Sequence, residues 1–122
     1  MPKVVGVGLA VSDLERSAAF YTQHFALERY ETLDLPNMRE IVLGWPDNSF
    51  RLLLMQYHEK RPRDPRLLEN KLVFGVRDAA AIAEELRAAG AEITREPAPA
   101  DGFACVAFAL DPDGHTLELL QR

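Results

Sequence analysis

Asp111-Pro112-Asp113-Gly114-His115-Thr116-Leu117-Glu118-Leu119-Leu120-Gln121-Arg122 reads as a turn followed by a strand. Pro presets φ, Asp bonds nearby backbone, and Gly supplies positive φ, so Asp-Pro-Asp-Gly reverses the chain. In the strand that follows, Leu117 and Leu119 point one way while Thr116, Glu118 and Leu120 point the other. Glu118 is therefore a carboxylate inserted into a face otherwise fit for burial, and it needs a partner, a metal or water.

Working outward, the start of the chain has a matching design. Val4 to Val11 alternates, with Val5, Val7, Leu9 and Val11 on one face and Gly6, Gly8 and Ala10 on the other. The nearly bare second face suits close approach by a ligand or by another backbone, and tight sheet curvature would use the same glycines. Ser12-Asp13-Leu14-Glu15 predicts a capping box with Ser12 at the N-cap and Glu15 reaching back. Leu14, Ala18, Tyr21 and Phe25 then form one helical stripe, and the helix is expected to end near Phe25 or Ala26. Three strands follow, near Glu28 to Leu33, Arg39 to Trp45 and Phe50 to Tyr57, divided by Pro36-Asn37 and Pro46-Asp47-Asn48.

The same order returns after a Pro- and Arg-containing linker. Lys71 to Val76 predicts a strand, Asp78 caps a helix with Ile82 and Leu86 inward, and Gly90 stops it. Ala91 to Arg95 begins the next strand, followed by Phe103 to Leu110 and Thr116 to Gln121. The offset is constant: Val76 minus Val11, Asp78 minus Asp13, Leu119 minus Leu54 and Gln121 minus Gln56 all equal 65. Two tandem βαβββ modules follow, over 1–59 and 70–122 with a linker at 60–69, in one α+β domain. Two such curled sheets are expected to keep their helices outside and enclose a concave, incomplete barrel-like cup.

Composition narrows the function classes. At 122 residues, 48% hydrophobic and 27% charged, the chain has enough apolar content for a real core. Its 14 Lys plus Arg against 19 Asp plus Glu give a net charge of −5, which opposes a nucleic-acid partner. The cluster Lys60, Arg61, Arg63 and Arg66 is broken by prolines and reads as a solvated linker. The single Cys105 forms no internal disulfide and suits a reducing, cytoplasmic setting. Neither a signal peptide nor a membrane span is read from Val4 to Val11.

Together these motifs resemble the vicinal oxygen chelate superfamily, which holds glyoxalase I, bleomycin-resistance proteins and extradiol dioxygenases. The residues that carry it are Val7 to Ser17 with Phe20-Tyr21, Leu72 to Val76, and Asp111 to Gly114 with Leu117 to Leu119. The resemblance implies metal ligands at equivalent points of the two modules, on the first and last strands. Transferred position by position, these fall on Gly6 and Lys71, and on Leu53 and Glu118, each pair again 65 apart. Glu118 alone keeps a ligand's chemistry. A zinc or non-heme iron site wants three or more donors, and the Lys71 ammonium repels a cation. A single carboxylate completed by waters and substrate oxygens is chemically open to Mg²⁺, but the reading disfavours a metal and assigns none.

The expected site is instead a Lys71–Glu118 pair on a polar floor, with Gly6, Gly8, Leu53 and Met55 as an apolar wall and Arg51 reaching from the rim. Such a cup suits a small organic molecule with an anionic or carbonyl oxygen, held as in the bleomycin-resistance branch. The alternative is isomerase or lyase chemistry of the glyoxalase type, in which Glu118 moves a proton and Lys71 steadies the oxyanion. A metal-dependent lyase or a dioxygenase stands third and requires further ligands. The resemblance also implies a homodimer. His24, His58 and His115 read as surface residues, and Cys105 as a small core residue.

Overall fold

The structure, a computed structural model, describes residues 2–60, 64–65, 70–100 and 102–122. The chain divides into two units, Met1–Arg63 and Asp64–Arg122. Most of the predicted linker, with Arg61, Arg63 and Arg66, lies outside the described residues.

In unit one, β1 (Gly6–Ala10) leads into α1 (Leu14–Phe25), then β2 (Glu28–Asp34), β3 (Met38–Gly44) and β4 (Arg51–Tyr57). The sheet order is β1-β4-β3-β2, with β1 parallel to β4 and the other pairs antiparallel. In unit two, β5 (Leu72–Gly75), α2 (Ala79–Ala88), β6 (Ile93–Ala100), β7 (Phe103–Leu110) and β8 (Thr116–Gln121) repeat that plan in the order β5-β8-β7-β6. The α+β class and the tandem βαβββ modules expected from the sequence are both present.

The repeat extends to single hydrogen bonds. The first amide of α1, Leu14 N–H, donates to Gln56 Oε1 at 3.0 Å, and the first amide of α2, Ala79 N–H, donates to Gln121 Oε1 at 2.9 Å. Each glutamine satisfies a donor that a helix start leaves without an intrahelical acceptor. Val11 N–H donates to Met55 O, and Val76 N–H donates to Leu120 O, in the same relation. These glutamines also show which sheet face carries the helix. Leu52 and Leu54 share the parity of Gln56, and Leu117 and Leu119 that of Gln121, and all four leucines are buried. Residues of the opposite parity, including Leu53, Met55 and Glu118, lie on the helix-free face.

Three local expectations need correction. The N-cap of α1 is Asp13, whose Oδ1 accepts from Arg16 N–H at 3.1 Å; Ser12 Oγ instead accepts from the Arg16 guanidinium. Glu15 does not reach back, because Arg29 on β2 holds it in a two-pronged pair at 2.8 and 3.1 Å. The stronger, charge-assisted partner displaces the capping box. Second, β6 runs on to Ala100 through Pro97 and Pro99. It is an edge strand, where a residue without an N–H is tolerated.

Third, His115 is buried, at 5% exposure, and is not a surface residue. Asp111 Oδ1 accepts from the N–H groups of Asp113 and His115, and Gly114 takes φ of 95°, so the turn folds tightly around the Asp111 carboxylate. Strand parity does not govern His115, which precedes β8. His58 is exposed, His24 and Cys105 are half-buried, and Cys105 stands opposite Gln121 in the β7–β8 register.

Candidate functional site

In unit two, register sets Val73, Glu118, Phe108 and Arg95 side by side across β5, β8, β7 and β6. Glu118 is 9% exposed, and one residue before β5 the Lys71 ammonium reaches it, with Nζ 2.5 Å from Oε1. The Lys71 side chain remains 51% exposed, so the pair joins a buried carboxylate to a half-solvated cation. Lys71 Nζ also lies 5.6 Å from the centre of the Phe108 ring, and the Arg95 guanidinium 5.7 Å from that same ring. Such distances are within reach of the ring's quadrupole. Lys71 thus pairs with the carboxylate, while Arg95 meets only the Phe108 ring beside it. A concavity of about 550 Å³ adjoins it, lined in part by Val73, Gly75, Leu120 and Arg77.

Sequence reasoning named Lys71 and Glu118 and missed Phe108 and Arg95. Counting along β8 to β7 would have placed Phe108 beside Glu118, but the bulges of β6 make Arg95's position invisible to counting.

In unit one, the helix-free face carries Gly6, Gly8, Arg51, Leu53 and Met55. A Cβ on Gly6 would meet the Arg51 carbonyl oxygen at 2.7 Å, so glycine here permits close approach of backbone. A Cβ on Gly8 would meet Met55 Sδ at 3.1 Å; the methionine side chain occupies that space. Arg51 is half-buried and is held within its own unit. Its Nη1 donates to the carbonyls of Asn48 and Phe50 at 2.8 and 3.0 Å, and its guanidinium lies 4.3 Å from the centre of the Tyr30 ring. Gly44 clears its path, since a Cβ there would meet Arg51 Nη1 at 2.6 Å. Tyr30 and Gly44 are a clamp that spacing did not reveal, because the β2 bulge between Arg29 and Glu31 shifts the register at Tyr30.

The family model described as Glyoxalase/Bleomycin resistance protein/Dioxygenase superfamily matches residues 3–119. The chain belongs to this superfamily. Its members and relatives include a lactoylglutathione lyase of Arabidopsis thaliana, 33% identical over 92% of this chain and 41% of the plant protein. A lactoylglutathione lyase of Salmonella typhimurium is 30% identical over 93% of this chain and 87% of its own length. Glyoxalase I of Zea mays superimposes with a TM-score of 0.84 at 28% identity, covering 98% of this chain and 44% of the maize chain. The superfamily member described here therefore spans less than half of the plant proteins it matches and most of the Salmonella one.

The residues that the resemblance sets at metal positions lack the donors a bound ion needs. Gly6 and Leu53 carry no donor, and the Lys71 ammonium already sits on the carboxylate of Glu118. Among the described residues no group of three His, Cys, Asp or Glu side chains is placed to hold a metal.

Proposed function

We propose that this superfamily member binds a small organic molecule through an anionic or carbonyl oxygen, without a metal, in the manner of the bleomycin-resistance branch. The observation that carries the reading is the Lys71–Glu118 contact, with Arg95 adding a second cation on the Phe108 ring. An ammonium half open to solvent and anchored by a buried carboxylate can donate to a ligand oxygen without leaving its partner. Within unit one, Gly6, Gly8, Leu53 and Met55 give its own helix-free face an apolar surface, and Arg51, clamped on Tyr30, gives that face an anion-binding group of its own.

A second reading draws on the lactoylglutathione lyases among the relatives. In it Glu118 moves a proton beside a carbonyl and Lys71 steadies the oxygen that gains charge. Exposed Val4, Val5, Val7 and Val73 on and beside the edge strands β1 and β5 support a homodimer. The lone Cys105 supports a reducing, cytoplasmic compartment. No helix among the described residues is long and apolar enough to cross a membrane.

Octanoate serves as a simple anionic probe for the binding reading. We expect a saturable rise in melting temperature for the unmodified protein, and a smaller rise in Lys71→Met and in Arg51→Met. Near-stoichiometric Zn²⁺, Ni²⁺, Mn²⁺ or Fe²⁺ in protein purified without chelator would overturn the metal-free assignment. Turnover that disappears in Glu118→Gln with binding retained would select the second reading.

A further inference from the structure

Glu40, on β3, is a buried carboxylate that the Lys71–Glu118 site does not use. It is 8% exposed, and its Oε2 is buried with no hydrogen-bond partner among the described residues. Register places it between Met55 of β4 and Leu33 of β2. Since Ile41 and Leu43 carry the helix-side parity and are fully buried, Glu40 belongs to the helix-free face, with Val42 and Gly44. The corresponding place in unit two is held by Val106, which pairs with Leu120 as Glu40 pairs with Met55. Val106 is 4% exposed. The fold thus accepts a plain apolar residue at this point, and unit one carries an acid there.

A buried carboxylate without a partner destabilises the fold, so its presence calls for a partner that arrives from outside. No three potential metal ligands gather among the described residues, so Glu40 stands as a single acceptor, which fits an organic N–H donor better than a metal. Four residues along β4 from Met55, Arg51 holds the other end of the same face, about 13 Å away at strand rise. Its Nη1 is bonded to backbone carbonyls, and no carboxylate pairs with its guanidinium among the described residues. Leu53 and Val42 are register partners on the face between the two ends.

We propose that Glu40 anchors the ammonium end of an elongated zwitterionic ligand whose carboxylate lies toward Arg51, with Val42, Leu53 and Met55 beneath its aliphatic middle. This rests on the reading that the helix-free face of unit one, with Arg51, receives an organic anion, and it adds the ligand's second charge.

The test compares 8-aminooctanoate with octanoate, which lacks only the amine, by calorimetric titration of the full chain and of Glu40→Gln. We expect the amino acid to bind the unmodified protein at least about tenfold tighter, a difference of about 1.4 kcal/mol. In Glu40→Gln the two probes should become equal. Equal binding of both probes to the unmodified protein overturns the role of Glu40 and leaves the anion-binding reading intact. A flat response to both overturns the two together. A second variant needs no probe: Glu40→Leu should melt several degrees higher, because it removes an unpartnered buried charge from a site whose counterpart is already valine. A lower melting temperature would mean that the carboxylate is structural, and would overturn the proposal.

Discussion

The two modules agree where the backbone needs a partner and where the helix-side core is packed, and differ on the helix-free faces. Asp13 and Asp78 cap their helices, Gln56 and Gln121 take the first helical amide, and Val11 and Val76 extend β1 and β5 along the last strand of their sheet. On the helix-free faces nothing is shared. By position in the repeat, Leu53 corresponds to Glu118, Glu40 to Val106, and Gly6 to Lys71. Unmet backbone and core requirements constrain one set of positions, while the other set is open to ligand chemistry. Each module buries one carboxylate on its open face, and only that of module two has an ion-pair partner among the described residues.

The contrast is sharpest at Lys71. Lys71→Met should leave Glu118 buried and alone, and destabilise by about 1–2 kcal/mol in urea unfolding, less than a fully buried pair because half of the lysine is in water. Adding Glu118→Leu should recover most of that loss, since Leu53 shows the apolar alternative at this position. Failure of the double variant to recover would mean that the pair holds the fold in a way module one does not need.

A smaller effect tests the shared scaffold. Gln56→Ala and Gln121→Ala each remove the acceptor of one helix-start amide, and each should cost about 1 kcal/mol in the same unfolding experiment. Clearly unequal losses would break the equivalence of the two modules at the contact that looks most alike.

The smallest effect lies where module one has an ion pair and module two has Ala80. The Arg29 guanidinium, bonded to Glu15, holds that carboxyl below its ordinary value of 4.5. A lowered folded-state value means that the pair's contribution is present above about 4.5 and is lost as pH falls through the lowered value. Both groups are exposed, so the effect is slight and screened by salt. Melting curves of Glu15→Gln and the unmodified protein should differ at neutral pH and converge in acid. A difference that persists in acid would assign the effect to helix capping instead.

Much of this was legible in the residues themselves. The constant spacing of 65 and the turn at Asp111 to Gly114 determined two βαβββ modules, and the alternation around Glu118 determined its face and its need for a partner. Such signals are local, since a side chain's face follows from strand parity and a cap from the two or three residues beside it. The glycines and valines of Val4 to Val11 likewise marked a strand with one nearly bare face, and its place at the sheet edge came from the structure.

Tertiary structure alone decided which groups meet across strands. The bulges in β2 and β6 shift the register, and so brought Tyr30 under Arg51 and Arg95 onto the Phe108 ring where counting could not follow. Arg29 drew Glu15 out of its predicted capping box, and the tight turn drew His115 inward. Glu40 lies within a stretch that the sequence marks as a strand, and nothing local singles it out. Its burial depends on residues from neighbouring strands, and sequence periodicity carries no information about what those strands bring to its side.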